Sequence, residues 1–136
     1  MIIDATDMIL GRLASYCAKK ALEGEEIIII NAEKAIVSGN RTAIYRRYKF
    51  KNKVGTVTRG PYSSRMPDRL VRRTIRGMIS WKTPKGKKAF KNVKVHIGDP
   101  ETIKGKRMKL EECSRDRLKS EKYLTIMEIS KWLGAM

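Results

Sequence analysis

A run of four isoleucines, Ile27 to Ile30, comes after a helical period that itself follows a short apolar start, and that order restricts the fold more than any other feature of the chain. Ile2-Ile3 opens as a strand. From Leu10 the residues Leu10, Leu13, Ala14, Cys17, Ala18 and Ala21 recur at the offsets of one helical face. Gly24 stands just past the helix end, where a left-handed residue closes the last turn. The unbroken isoleucine run reads as a strand covered on both sides, the pattern of parallel sheets. Strand, helix, strand is a βαβ unit, and its crossover is right-handed in nearly all known sheets, so the two strands are expected to be parallel. Residues Asn31 to Gly39 are expected to form the loop at the end of the second strand.

The rest of the chain extends this pattern. Asn40 to Lys53 predicts a helix with Ile44, Tyr45 and Tyr48 on one side and cations around the remainder. Gly55 to Arg65 is rich in Gly, Ser and Thr and reads as an extended loop. Pro67 suits a first helical position, and Pro67 to Ile79 carries two stripes: Arg69, Arg72, Arg73 and Arg76 on one face, Val71, Thr74, Ile75 and Met78 opposite. Thr83-Pro84 opens a short basic helix over Lys85 to Lys91. Val93, Val95 and Ile97 alternate with Lys94 and His96 as a strand does. Thr125-x-x-Glu128 is a capping-box pattern leading a final helix to Leu133. At 136 residues the chain fits one domain over 1–136. The reading is α/β, with a small mostly parallel sheet and helices on both faces.

Charge then says what such a domain faces. The net charge is +17, but residues 1–40 hold 4 basic and 6 acidic side chains and residues 95–136 hold 9 and 7. Residues 41–94 hold 18 and 1, the acid being Asp68, so the whole excess falls in this basic region. Many like charges so close repel one another unless a dense polyanion lies against them, and nucleic acid also releases counterions when its phosphates are neutralised. A solvated helix face normally mixes signs, whereas the arginine stripe has no acid in it; guanidinium groups grip phosphate in bidentate fashion and stack on bases. Tyr45, Tyr48, Phe50 and Tyr62 interleave with these cations, as a stacking platform requires, although helix-spaced aromatics also serve a core.

Other classes are excluded by what the sequence lacks. The longest apolar run, Ile27 to Ile30, is far short of the roughly 20 residues of a spanning helix, and Asp4 and Asp7 interrupt any secretory pattern at the N-terminus. Cys17 and Cys113 form no C-x-x-C pair and are expected to be free thiols. No glycine-rich phosphate loop, catalytic triad, paired carboxylate or metal-ligand set is present, and His96 is the only histidine. No catalytic residue, metal, cofactor, membrane or small-molecule substrate is expected.

Several strings carry a resemblance beyond composition. Asp4-Ala5, then Leu10-Gly11-Arg12-Leu13-Ala14-Ser15, then Ile27 to Ile30 running into Asn31-Ala32-Glu33-Lys34, then Arg76-Gly77-Met78 resemble the family of large-subunit ribosomal protein thirteen, in its shorter archaeal and eukaryotic branch. The resemblance spans Asp4 to about Asp99. Bacterial members carry a Pro soon after Gly-Met and a His-Pro-His string after the last strand; here Ile79-Ser80-Trp81 and Asp99-Pro100 stand in those places, so contacts of those bacterial residues do not transfer. The resemblance implies a three-layer α/β/α domain with a four-stranded parallel sheet, a cytoplasmic place in the large ribosomal subunit, an early role in its assembly, and neighbouring ribosomal proteins as partners.

Together these readings predict a structural protein, not an enzyme, that holds large-subunit ribosomal RNA through Lys34, Arg41, Arg46, Arg47, Lys49, Lys51, Arg59, Arg65, Arg69, Arg72, Arg73, Arg76, Lys82, Lys85, Lys87 and Lys88. Residues 49–66 are expected to be partly disordered without RNA. A free protein that binds messenger RNA and represses translation would use the same surface, and crosslinking in cells separates the two. A nucleotide-using enzyme on the same scaffold would bind ATP or NAD.

Overall fold

The computed structural model describes residues 1–135. The elements run β1 (Ile2–Asp4), α1 (Leu10–Leu22), β2 (Ile27–Ile30), β3 (Ile36–Ser38), α2 (Arg41–Lys53), α3 (Pro67–Met78), α4 (Pro84–Lys91), β4 (Val93–Val95), β5 (Arg107–Met108), β6 (Tyr123–Thr125) and α5 (Ile126–Trp132). Short 3-10 turns lie at Ala32–Lys34, Glu111–Cys113 and Arg115–Arg117. The fold is α/β. Four strands form one sheet in the order β4-β2-β1-β5, with all three pairings parallel.

The sheet has two unlike faces, and the register shows why. Ile3 pairs with Ile29 and Ile29 with Val95, while Ile27 pairs with Val93, so these side chains share one face. Ile3, Ile27, Ile29 and Val93 are fully buried there, in one cluster with Leu13, Ala14 and Cys17 of α1 and Val71 and Ile75 of α3. Helices α1 and α3 pack on each other as they cover it. The opposite face carries Ile2, Ile28, Lys94 and Arg107 in register. Ile28 is half-buried, and Lys94 and Arg107 are exposed, so the isoleucine run is not fully covered on both sides as expected. The segment before β5 shields part of this face: a Cβ at Gly105 would come within 2.7 Å of Ile2 Cδ1.

The expected loop after β2 is more structured than the sequence suggests. Asn31 adopts a left-handed conformation (φ 53°) and donates from Nδ2 to Asp4 Oδ1 at 3.0 Å, joining the ends of β1 and β2. Thr6 donates to the same carboxylate oxygen from N and Oγ1 at 3.0 and 2.7 Å. Burial pushes the Asp4 pKa up, but these hydrogen bonds outweigh it and hold it below the ordinary carboxylate value. Glu33 is buried and accepts from Gly98 N at 3.0 Å, so the carboxylate of the Asn31-Ala32-Glu33-Lys34 string satisfies the turn after β4. Beyond it, Ile36–Ser38 is a strand paired antiparallel with Tyr123–Thr125. Strand β4 also ends two residues short of Ile97: His96 N makes the last ladder bond, to the Ile29 carbonyl, and the His96 carbonyl then accepts from Ala32 N of the turn after β2.

The helix ends agree with the sequence chemistry. Asn40 caps α2 through Thr42 N, Thr83 caps α4 through Gly86 N, and Thr125 and Glu128 form a complete capping box on α5. Gly86 is buried where α4 meets the preceding turn, and a Cβ there would run into the Ser80 carbonyl. The two cysteines lie in the core as free thiols. Burial, with Cys113 nearby, pushes the Cys17 thiol up to about 12, and burial with Glu112 raises Cys113 as well. Since the thiolate is the reactive species, neither cysteine should react with a disulfide reagent at pH 8 until the protein is unfolded, when both should. Rapid labelling of the folded protein would show that the α1 interface opens.

Candidate nucleic-acid interface

Helix α3 is the centre of the basic region. Pro67 fills its first turn, where a missing N–H costs nothing, and Asp68 sits beside it where the helix dipole favours a carboxylate. Val71 and Ile75 are fully buried and Leu70 nearly so, while Arg69, Arg72 and Arg73 are exposed and Arg76 is half-buried. The two predicted stripes are therefore present, with one correction. Met78 was placed on the core face but is 44% exposed, because the helix ends there; Leu70 takes its place in the core. Thr74, half-buried, donates its hydroxyl to the Leu70 carbonyl at 2.9 Å.

Several of these cations rest on aromatic rings. The Arg72 guanidinium lies 4.4 Å from the Phe90 ring centre of α4, and Arg76 lies 4.9 Å from that of Trp81. On α2 and its surroundings, Arg41 lies over Tyr45, Lys49 over Trp132 and Lys51 over Tyr48, at 5.6, 5.8 and 5.6 Å. Such contacts restrain a long side chain without neutralising it. Ion pairing would neutralise it, and there is almost none: among the described residues Arg41 is the only cation of region 41–94 within 4 Å of a carboxylate, Glu128 at 3.9 Å. Asp68 pairs with none of them.

Helix α2 divides its aromatics between the two roles left open by the sequence. Ile44 is buried, Tyr45 stacks on Trp132 of α5 with centroids 4.6 Å apart, and Tyr48 is half-buried against the core. These two tyrosines are packing residues. Phe50 and Tyr62 keep their rings exposed, at 70% and 69%. Among the described residues, the large apolar side chains left exposed gather in the same region as the cations: Phe50, Val54, Val57, Tyr62, Met78 and Trp81 lie within 41–94, and Met108 and Trp132 lie outside it.

The loop between α2 and α3 folds on itself and is tied to the helices. Thr56 and Gly60 exchange backbone hydrogen bonds at 3.3 and 2.9 Å, and the Tyr62 hydroxyl donates to the Val57 carbonyl at 3.0 Å. Ser63 donates to the Lys51 carbonyl at 2.9 Å, and Arg73 reaches the Tyr62 carbonyl at 3.5 Å. The buried hydroxyl of Ser130 on α5 donates to the Arg65 carbonyl at 2.6 Å. The loop thus closes one side of a concavity of about 470 Å³, whose lining brings Arg69, Arg72, Arg73 and Arg76 together with Tyr62, Ser64 and Phe90.

A second concavity of about 300 Å³ shares Ser64, Arg73 and Arg76 with the first and adds Lys51, Tyr48, Leu70, Gly77 and Trp81 among its walls. Burial first, then the charges of Arg47 and Arg73, depress the Lys51 pKa. Arg46 on α2, Arg59 and Arg65 on the loop, Lys82 in the turn before α4, and Lys85, Lys87 and Lys88 on α4 are exposed and line neither concavity, while Lys34 is exposed in the turn after β2. Trp81, Ser64 and Gly77 are not among the residues expected from sequence to hold RNA, although Gly77 and Trp81 stand in or beside the family-like Arg76-Gly77-Met78 string. The only sign of Trp81 was an aromatic next to Lys82 just past a basic helix.

The family model for ribosomal protein L13 matches residues 1–102. The large ribosomal subunit protein uL13 of Methanocaldococcus jannaschii is 44% identical over 138 residues, covering 98% of this chain and 97% of the relative. That of Archaeoglobus fulgidus is 42% identical over 135 residues, covering 98% and 86%, and that of Methanococcoides burtonii 42% over 135 residues, covering 98% and 97%. The chain therefore belongs to the ribosomal protein L13 family, a family of structural ribosomal proteins and not of enzymes.

Proposed function

We propose that this chain is a structural constituent of the large ribosomal subunit in the cytoplasm, where it binds large-subunit ribosomal RNA and helps the subunit assemble at an early stage beside neighbouring ribosomal proteins. The observation that carries this reading is the state of the charge in region 41–94: 18 cations against one acid, with a single carboxylate contact, at 3.9 Å, among the described residues. A surface of that kind is stable against a polyanion and repels itself otherwise. In this reading Arg69, Arg72, Arg73 and Arg76 grip phosphates from within a cleft. Arg41, Arg46, Arg47, Lys49, Lys51, Arg59, Arg65, Lys82, Lys85, Lys87 and Lys88 position the backbone around it, and Lys34 does so from the turn after β2. The exposed rings of Phe50 and Tyr62 supply stacking surface for unpaired bases.

Sedimentation of native extract through a salt-containing gradient tests the reading. The protein should travel with large subunits and their precursors. Recovery at the top of the gradient, or on messenger RNA after crosslinking in cells, would refute it.

A further inference from the structure

Gly77 has no evident purpose in the fold. It lies in the last turn of α3, its φ is not positive, and a Cβ built on it meets nothing within 4 Å. Glycine inside a helix is a poor choice relative to alanine, and neither a turn nor a close approach within the chain requires it here. What it does is leave open the wall of the 300 Å³ concavity, a size in the range of about 300–1,000 Å³ that small organic ligands occupy.

The chemistry around that opening is divided. Arg73, Arg76 and Ser64 line both concavities. On one side of them Arg69 and Arg72 complete a cluster of four guanidinium groups. On the other, Trp81, Tyr48 and Leu70 give largely apolar walls, Asn52 a side chain able to donate and accept, and Lys51 one further cation. Arg76, which lines both concavities, has its guanidinium over Trp81 at 4.9 Å, and guanidinium and indole planes both stack on bases. A site for phosphate alone would not need the second chamber, and a site for an apolar ligand would not need the first. A nucleotide uses both, and Ser64, Arg73 and Arg76 line the two together.

On the strength of the ribosomal RNA reading, we infer that this two-chambered cleft receives a single unpaired nucleotide swung out of an RNA stem, its phosphate among the α3 arginines and its base in the chamber beside Gly77, Arg76 and Trp81. Double-stranded RNA offers no base faces to such a chamber, because its bases are stacked; a bulged residue does.

Three RNA hairpins of one stem sequence test this with the full chain: fully paired, with one bulged adenosine, and with an abasic residue at the bulge. The bulged hairpin should bind roughly tenfold or more tightly than the other two, as expected for one stacked base, and 2-aminopurine at the bulge should lose fluorescence on binding. Gly77→Gln should bring the ratio of bulged to paired affinity close to one while the melting temperature stays level or rises, since glutamine is the better helix former. Trp81→Ala should also abolish the ratio, and Trp81→Phe should keep it. Equal affinities for the three hairpins, or a ratio that survives both Gly77→Gln and Trp81→Ala, would overturn the nucleotide site and leave the ribosomal RNA reading standing. Failure to bind any of them would overturn that reading as well.

Discussion

Raising monovalent salt from 50 to 200 mM should weaken binding of this protein to its RNA by roughly three to five orders of magnitude, as for a surface that neutralises about eight phosphates. The size of the effect follows from where the charge is. The flanks carry 13 basic and 13 acidic side chains between them, so they contribute no net attraction, and the 18 cations of region 41–94 act against a single acid. Because all of these cations but the half-buried Arg76 lie exposed, and they are nearly free of carboxylate partners, each phosphate contact they form releases counterions and is not offset by a broken internal ion pair. The slope of log affinity against log salt should be near −7 for eight contacts on duplex RNA treated like B-form DNA, about −0.9 per contact. Replacing Lys85, Lys87 and Lys88 by Gln should reduce that slope by about two to three units with little change in the preference among RNAs, since these exposed side chains position and do not read. Anisotropy titrations at four or five salt concentrations give the slope directly. A slope shallower than about −2 would mean that the basic region is not the RNA surface.

What could be read from the sequence, and what could not, divides along contact range. Helix α3 was legible because both stripes repeat at helical spacing within 12 residues, and α1 with β2 because an amphipathic helix leading into an apolar run has few other solutions. Strands β3 and β6 were not. Each has three residues, and Ile36 finds Thr125 across most of the chain, so nothing local marks the pair. Strand β5 is two exposed residues, Arg107 and Met108, and is a strand only because Ile2 and Ile3 present a free edge. The bidentate contact of Arg107 with Asp99, at 2.8 and 2.7 Å, then ties that edge to the turn after β4. The same division holds for the interface. The arginines were visible as a periodic pattern, whereas the cleft depends on Ser130 anchoring Arg65 and Ser63 anchoring Lys51, contacts that no spacing announces. Tyr45 could not be assigned to packing before Trp132 was seen stacked on it.

The two faces of α3 should separate cleanly under mutation. Ile75 is fully buried in the cluster that joins α3 to α1 and to the sheet, and Ile75→Ala leaves a cavity that close-packed neighbours fill only in part. The expected loss is about 2–5 kcal/mol, a large share of the roughly 5–15 kcal/mol that holds a domain together. Denaturant midpoints should fall accordingly, with RNA affinity per folded molecule preserved. The paired change of Arg72 and Arg73 to Ala should do the reverse. Both side chains are exposed; Arg72 loses a ring contact at 4.4 Å and Arg73 a hydrogen bond at the limiting distance of 3.5 Å. An exposed cation–π contact contributes only about 0.5–1 kcal/mol. Against that loss, the change removes like-charge repulsion along the helix, because Arg69 faces Arg73 and Arg72 faces Arg76 at four-residue spacing. Stability should therefore move by less than about 1 kcal/mol, while two charge-assisted phosphate grips disappear and RNA affinity drops by at least about tenfold. Comparable losses of stability in the two variants would mean that the arginine face is part of the folded core's support, and the cleft it lines could not then be free to take RNA.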